Sequence, residues 1–230
     1  MKLLRPKAVL IDFYGTLSAG DHDAVQMTCR SVVETCNLAI APSDFANQWG
    51  KRFFQTIEQC NHDRFRTLFE CEASSLKATL ADHQIELSDP DLHALLVELE
   101  SYWADPPLYA DAVDFLHRLS LPVCCVSNAD AAPLSAAIER HGLRFNAVVT
   151  SQAARCYKPD RIIFQRAIEA LGIPATHAVH IGDSRHSDIA GAAGLGIPTV
   201  WVRRENRVMD IGCEKPDYII ENLNELRFEV

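Results

Sequence analysis

A doubly wound, Rossmann-like parallel α/β sheet with an inserted helical lobe is the fold this sequence predicts, and three observations predict it. Four apolar runs (Ala8-Val9-Leu10-Ile11, Val123-Cys124-Cys125-Val126, Ala178-Val179-His180-Ile181 and Thr199-Val200-Trp201-Val202) are continuous rather than alternating. Such runs are the habit of strands buried on both faces, as in parallel sheets. Helical patterns separate the last three of them, and strands alternating with helices imply right-handed crossovers. The third observation is negative: residues 19–104 hold no strand-like run, only apolar residues at helical spacing.

In chain order, Ala8–Ile11 is the first strand. Val25, Cys29, Val32, Val33 and Cys36 then share one helical face, and Phe45, Trp49, Phe53 and Ile57 share another. Leu92, Leu95, Leu96 and Leu99 form a third stripe after Asp89-Pro90, read as an N-cap with proline at the first helical position. These stripes read as packing faces of a lobe, with Asp105-Pro106-Pro107 as its return linker. The predicted division is therefore 1–18 and 105–230 for the core and 19–104 for the lobe. Later helices are predicted over 112–119, 133–141, 160–171 and 188–193. Gly142 and Gly172 follow two of these, where a helix end favours a left-handed residue. Ala147-Val148-Val149 adds a short strand and Tyr218-Ile219-Ile220 a possible edge.

The 230 residues are 48% hydrophobic, enough for one core plus a smaller lobe. A net charge of -9 without clustered Lys and Arg argues against nucleic acid and anionic membranes as partners. Lys51-Arg52 and Arg203-Arg204 read as solvated pairs. The eight cysteines show no CxxC and no Cys/His metal spacing. They read as reduced, mostly apolar packing residues. No run is long enough for a signal-peptide core or a membrane span. The expectation is a cytoplasmic protein, monomer or homodimer, acting on a small anionic molecule.

In an open parallel sheet, active sites gather at the carboxyl ends of the strands. Here those ends carry Asp12-Phe13-Tyr14-Gly15-Thr16, Ser127-Asn128 and Gly182-Asp183-Ser184, with Asp188 five residues after Asp183 and Lys158-Pro159 before a helix. Carboxylates, hydroxyls, an amide and a lysine converge on one rim. Arg185 and His186 read as solvated loop.

The motifs VLIDFYGTL, VSNAD, YKPD and IGDSRHSDIAGA, in that order, resemble those of the haloacid dehalogenase superfamily, helical-cap (C1, subfamily I) type. The inserted lobe sits where that subclass places its cap. The resemblance implies a hydrolase with Asp12 as nucleophile, transiently esterified by substrate. It implies that Thr16, Ser127 and Asn128 hold the anionic group, and that Lys158 neutralises charge. It also implies a Mg²⁺ site of Asp12, the Tyr14 backbone carbonyl and Asp183, with Asp188 acting through water or orienting a ligand. Such an oxygen-only set suits that ion.

One residue departs from the pattern. Phosphatases of the superfamily carry a second aspartate two positions after the nucleophile as general acid and base, and this chain has Tyr14 there. A phenol with an ordinary pKa of about 10 is poorly matched to that task, and losing such a group costs about 10² to 10⁴ in rate. The 2-haloacid dehalogenases of the superfamily often read D-x-Y-G-T, because halide leaves without a proton. They use no metal, usually carry serine in place of Asp183, and bind the substrate carboxylate with a cap arginine, for which Arg52 is a candidate. Phosphonoacetaldehyde hydrolases keep Mg²⁺ and use a cap lysine, for which Lys51 is the candidate. The metal-assisted phosphohydrolase is the favoured expectation, carbon-halogen hydrolysis the alternative, and a non-catalytic binder of phosphate and Mg²⁺ a third.

Overall fold

The computed structural model describes residues 5–204 and 214–228; Cys213 lies outside them. Six strands form one sheet: β1 (Ala8–Ile11), β2 (Val123–Ser127), β3 (Ala147–Thr150), β4 (Ala178–Gly182), β5 (Thr199–Val202) and β6 (Tyr218–Ile220). All neighbours pair in parallel, in the order β3-β2-β1-β4-β5-β6. Connections run outward in one direction through β2 and β3 and in the other through β4, β5 and β6. The strand order therefore reverses beside β1, and the crevice at its carboxyl end is the natural binding place.

Nine α-helices accompany the sheet among the described residues. Four follow β1: α1 (Asp21–Thr35), α2 (Pro42–Gln59), α3 (Leu68–Asp82) and α4 (Asp89–Ala104). The others are α5 (Ala110–Arg118), α6 (Ala131–Arg140), α7 (Ser151–Ala154), α8 (Arg161–Leu171) and α9 (Gly191–Ala193). Alternation along β1 splits the core into two layers. Val9 and Ile11 pack with Ala112, Phe115, Leu134 and Ala137 of α5 and α6. Leu10 packs on the other face with Ile163, Phe164 and Ala167 of α8. Phe164 is fully buried, a contribution of about 2 kcal/mol by transfer of its ring from water.

Helices α1 to α4 bury a separate cluster that includes Cys29, Val32, Phe45, Trp49, Leu76, Leu80, Leu96 and Leu99. The lower end of the second predicted stripe does something else. Phe53 and Ile57 pack with Cys60, Leu68, Cys71 and core residue Tyr157, so they join the lobe to the sheet domain. The described cysteines are free thiols, and burial pushes Cys29 and Cys124 up to about 12.

Three local readings are corrected. The cap of α4 is Ser88, whose hydroxyl accepts from the amide of Asp91, so Asp89 and Pro90 lie inside the first turn. The helix expected from Asp188 begins earlier, as a π turn over Arg185–Ala190 that runs into α9. Arg185 and His186 are thus helical rather than loop. Arg204, read as solvated beside Arg203, is buried. Its guanidinium makes two 2.9 Å bonds to Asp111 and a 2.8 Å bond to the carbonyl of Thr16, and lies 3.9 Å from the Tyr109 ring centroid. No helix among the described residues is long and apolar enough to cross a membrane.

Candidate active site

The turn that leaves β1 is the foundation of the site. The amides of Thr16, Leu17 and Ser18 all point back to the carbonyl of Phe13. Gly15 takes φ 80, a left-handed conformation that costs a side-chain-bearing residue more than glycine. The turn aims Asp12 and Thr16 at one point: the Thr16 hydroxyl donates 3.0 Å to Asp183 and 3.4 Å to Asp12. Asp183 ends β4 with its backbone fixed by the Trp201 indole, which donates to its carbonyl at 2.8 Å.

Asp188 is brought close by the π turn. Its carboxylate receives the amide of Ser184 at 3.1 Å. A Cβ on Gly182 would sit 2.2 Å from its Cγ, so only glycine lets the turn fold this tightly onto the strand end. Carboxylate oxygens of Asp12, Asp183 and Asp188 all lie within 4.8 Å of one another, and all three residues are buried. Lys158 reaches into this group, donating 2.6 Å to Asp12, 2.7 Å to Asp188 and 3.0 Å to the carbonyl of Val126.

Charge and burial oppose one another here. Burial alone favours neutral Lys158, but Asp12 and Asp188 outweigh it and hold the ammonium above its ordinary range. Burial also works against ionised Asp188, yet Lys158 and His180 hold its carboxyl well below the ordinary value. Burial, reinforced by neighbouring Asp188 and opposed by Lys158, leaves Asp12 raised. Convergent carboxylates repel, and their hard oxygen donors are those Mg²⁺ prefers. The residues present therefore fit that ion.

The remaining predicted residues divide. Ser127 ends β2 with a buried hydroxyl that has no hydrogen-bond partner among the described residues and is available to a bound group. Asn128 is turned to the backbone of Lys158. Its side chain accepts from the amide of Lys158 at 2.7 Å and donates to the carbonyl of Lys158 at 3.2 Å, so it positions the lysine. Tyr14 turns away from the carboxylates: its hydroxyl donates to the carbonyl of Trp103 at 2.5 Å, and burial drives its pKa far above the ordinary phenol value. Arg52 is not brought to the site; its guanidinium pairs with Asp82 of α3, largely in solvent. Lys51 is exposed.

Sequence reasoning missed three residues. His180, fully buried in β4, bonds Asp188 at 2.9 Å, and its presence in an otherwise apolar strand was the available signal. Arg204 supports the Thr16 turn from below. Glu72 of α3, buried in the lobe, accepts from the Trp103 indole at 3.0 Å. Between the core and the lobe lies a cavity of about 300 Å³, lined by Tyr14, Ala129 and Asp130 from the core and by Leu68, Phe69, Glu72, Glu100 and Trp103 from the lobe.

Over residues 6–196 the chain matches the profile described as haloacid dehalogenase-like hydrolase. It is 29% identical, over 94% of its length and 91% of the relative's, to (S)-2-haloacid dehalogenase of Pseudomonas sp. strain YL. It is 30% identical to phosphoserine phosphatase of Thermus thermophilus over 52% of this chain and 50% of that one. Its backbone superposes on magnesium-bound YfnB, a HAD hydrolase of Bacillus subtilis, with TM-score 0.76, 22% identity and coverage of 96% and 97%. A carboxylate nucleophile position at the end of β1, a lysine held over it and a profile match across most of the chain converge on one conclusion: the protein belongs to the haloacid dehalogenase-like hydrolase family.

Proposed function

We propose that this hydrolase is a Mg²⁺-assisted phosphohydrolase acting on a small anionic metabolite, with residues 1–18 and 105–230 as catalytic core and 19–104 as cap. One observation carries the reading: Asp183 stands within 4.8 Å of Asp12 and Asp188. Hydrolysis of a carbon-halogen bond without a metal has no use for that third carboxylate.

Asp12 attacks the phosphorus, and the leaving oxygen departs toward the cavity between Tyr14 and the cap. Water then hydrolyses the aspartyl phosphate and restores Asp12. The Ser127 hydroxyl and the Lys158 ammonium bind the phosphoryl oxygens, and Thr16 holds Asp12 and Asp183 in register. His180 and Asn128 act indirectly, fixing Asp188 and Lys158. Asp12, Asp183 and Asp188, with the Tyr14 carbonyl, would hold Mg²⁺, which would supply positive charge for the phosphoryl group. Tyr14 supplies no proton, so leaving groups that depart readily as anions react fastest.

Carbon-halogen hydrolysis is the second reading, favoured by Tyr14 and by the 29% identical dehalogenase. The two separate on hydrolysis of an aryl phosphate beside 2-chloropropionate, each with Mg²⁺ and with EDTA. EDTA-sensitive phosphate release supports the proposal. Chloride release indifferent to EDTA replaces it with the second reading and leaves Asp183 without a metal to bind.

A further inference from the structure

None of the clustered carboxylates lines the cavity, but the two loops that carry Asp12 and Ser127 continue into its wall. Its core wall is made by Tyr14, two residues after the nucleophile, and by Ala129 and Asp130, directly after Ser127-Asn128. The part of a substrate that does not react has this space to occupy. Most of its wall is apolar: Leu68, Phe69, Ala132, Pro133 and Ala136 among others. No lysine, arginine or histidine is among the lining residues.

Glu72 breaks this apolar wall from the cap side. It is only 4% exposed, and the Trp103 indole that bonds one of its oxygens belongs to the residue whose carbonyl receives the Tyr14 hydroxyl. Trp103 thereby ties the glutamate to the turn that carries the nucleophile. The side chains of charge-bearing type around it are Glu100 on α4 and Asp130 on the core loop. A second anionic group placed here meets acids on both sides; His93, which contacts Glu100 at 3.4 Å, is not among the lining residues. Burying a charge without a counter-charge is costly. An ammonium or a hydroxyl instead meets a carboxyl group able to accept from it.

We infer that Glu72 is a specificity-determining residue: it selects substrates whose single anionic group is the one that reacts, and whose remainder carries an ammonium or a hydroxyl rather than a second anion. This rests on the phosphohydrolase reading and refines its substrate class. Burial, opposed by the Trp103 bond and reinforced by Asp130 and Glu100, pushes the Glu72 carboxyl up to about 8. It thus enters the cavity as a neutral group that an arriving ammonium converts to its partner.

The test compares kcat/KM with Mg²⁺ at pH 7 for phenyl phosphate, 4-(aminomethyl)phenyl phosphate and 4-carboxyphenyl phosphate, in the wild type and in Glu72→Gln. The aminomethyl ester is expected to exceed the carboxy ester by about tenfold or more in the wild type, with the gap shrinking in Glu72→Gln. Equal rates, a preference for the carboxy ester, or an undiminished gap in folded Glu72→Gln overturns the inference while the phosphohydrolase reading stands. Phosphate release from none of the three overturns that reading and takes the inference with it. The wild-type ranking decides the matter even where the variant fails to fold.

Discussion

Two buried ion clusters sit on either side of the turn after β1, and they are built on different principles. Beneath it, Arg204 and Asp111 form a fork of two bonds, and Asp111 also accepts the amide of Leu223 at 2.7 Å. One cation meets one anion, and the remaining donors go to the Thr16 carbonyl and the Tyr109 ring. Above the turn, three carboxylates converge around the reach of one lysine. The lower cluster is closed and has nothing left to bind. The upper one is over-acidic, and that surplus prepares it for chemistry. A buried salt bridge is a scaffold when its charges cancel and a site when they do not.

The sharpest way to break the comparison is to remove each cation or its partner. Lys158→Met is expected to lower kcat by about 10³-fold, since the ammonium faces the transferring group in a water-poor site. Steady-state kinetics on an aryl phosphate checks this, and a folded variant with near wild-type kcat refutes it. Asp111→Asn acts on the closed cluster. It leaves Arg204 buried beside a neutral group, a loss of about 3 kcal/mol in unfolding free energy, with far less effect on kcat than Lys158→Met. Denaturant unfolding paired with the same assay reads both.

Glu72 extends the comparison to a buried acid with no cation at all. Its carboxyl, pushed up to about 8 by burial, lies above its ordinary value of 4.5. Between those values the folded chain keeps a proton that the unfolded chain releases, so stability falls as pH rises through that window. Glu72→Gln should therefore be more stable than the wild type at pH 8, by a few kcal/mol at about full effect, and indistinguishable near pH 4. Thermal melts at the two pH values test it; a difference independent of pH counts against a neutral buried Glu72. The smallest effect is expected from Tyr14→Phe. It loses one hydrogen bond, about 1 kcal/mol of stability, and leaves kcat nearly unchanged because the phenol hands no proton to the leaving group. A large fall in kcat would give Tyr14 a direct part in the reaction.

Much of this was legible in the sequence because buried parallel strands advertise themselves. Ala8–Ile11 and residues 178–181 read as strands from their continuous apolar runs, and topology then obliges Asp12 and Asp183 to share a rim. Lys158 and Asp188 followed from the order of the motifs. The failures have a common cause, which is that burial of a charged side chain is decided by distant partners. Arg204 looks like Arg203 until Asp111, 93 residues away, is placed beneath it. Glu72 lies in an ordinary helical stretch, and its environment comes from Trp103, 31 residues on. Arg52, which reads as solvated and as a candidate substrate contact, pairs with Asp82 because of the face of α2 it occupies. The side chain of Asn128 holds the Lys158 backbone, a partner the sequence does not reveal because an amide can serve a backbone as readily as a ligand.

Asp130 joins the cap to this machinery. Its carboxylate accepts the amides of Leu68 and Phe69, at 2.8 and 3.0 Å, so a core residue caps the first turn of α3. It stands two positions after Asn128, the residue that grips the backbone of Lys158 on both sides. Any displacement of α3 from the core would break these two bonds and uncap the helix, and the residue it would pull on is two positions from the one that holds Lys158 beside Asp12. On the proposed reading, access to the site and the setting of its lysine would share one tether, three residues long.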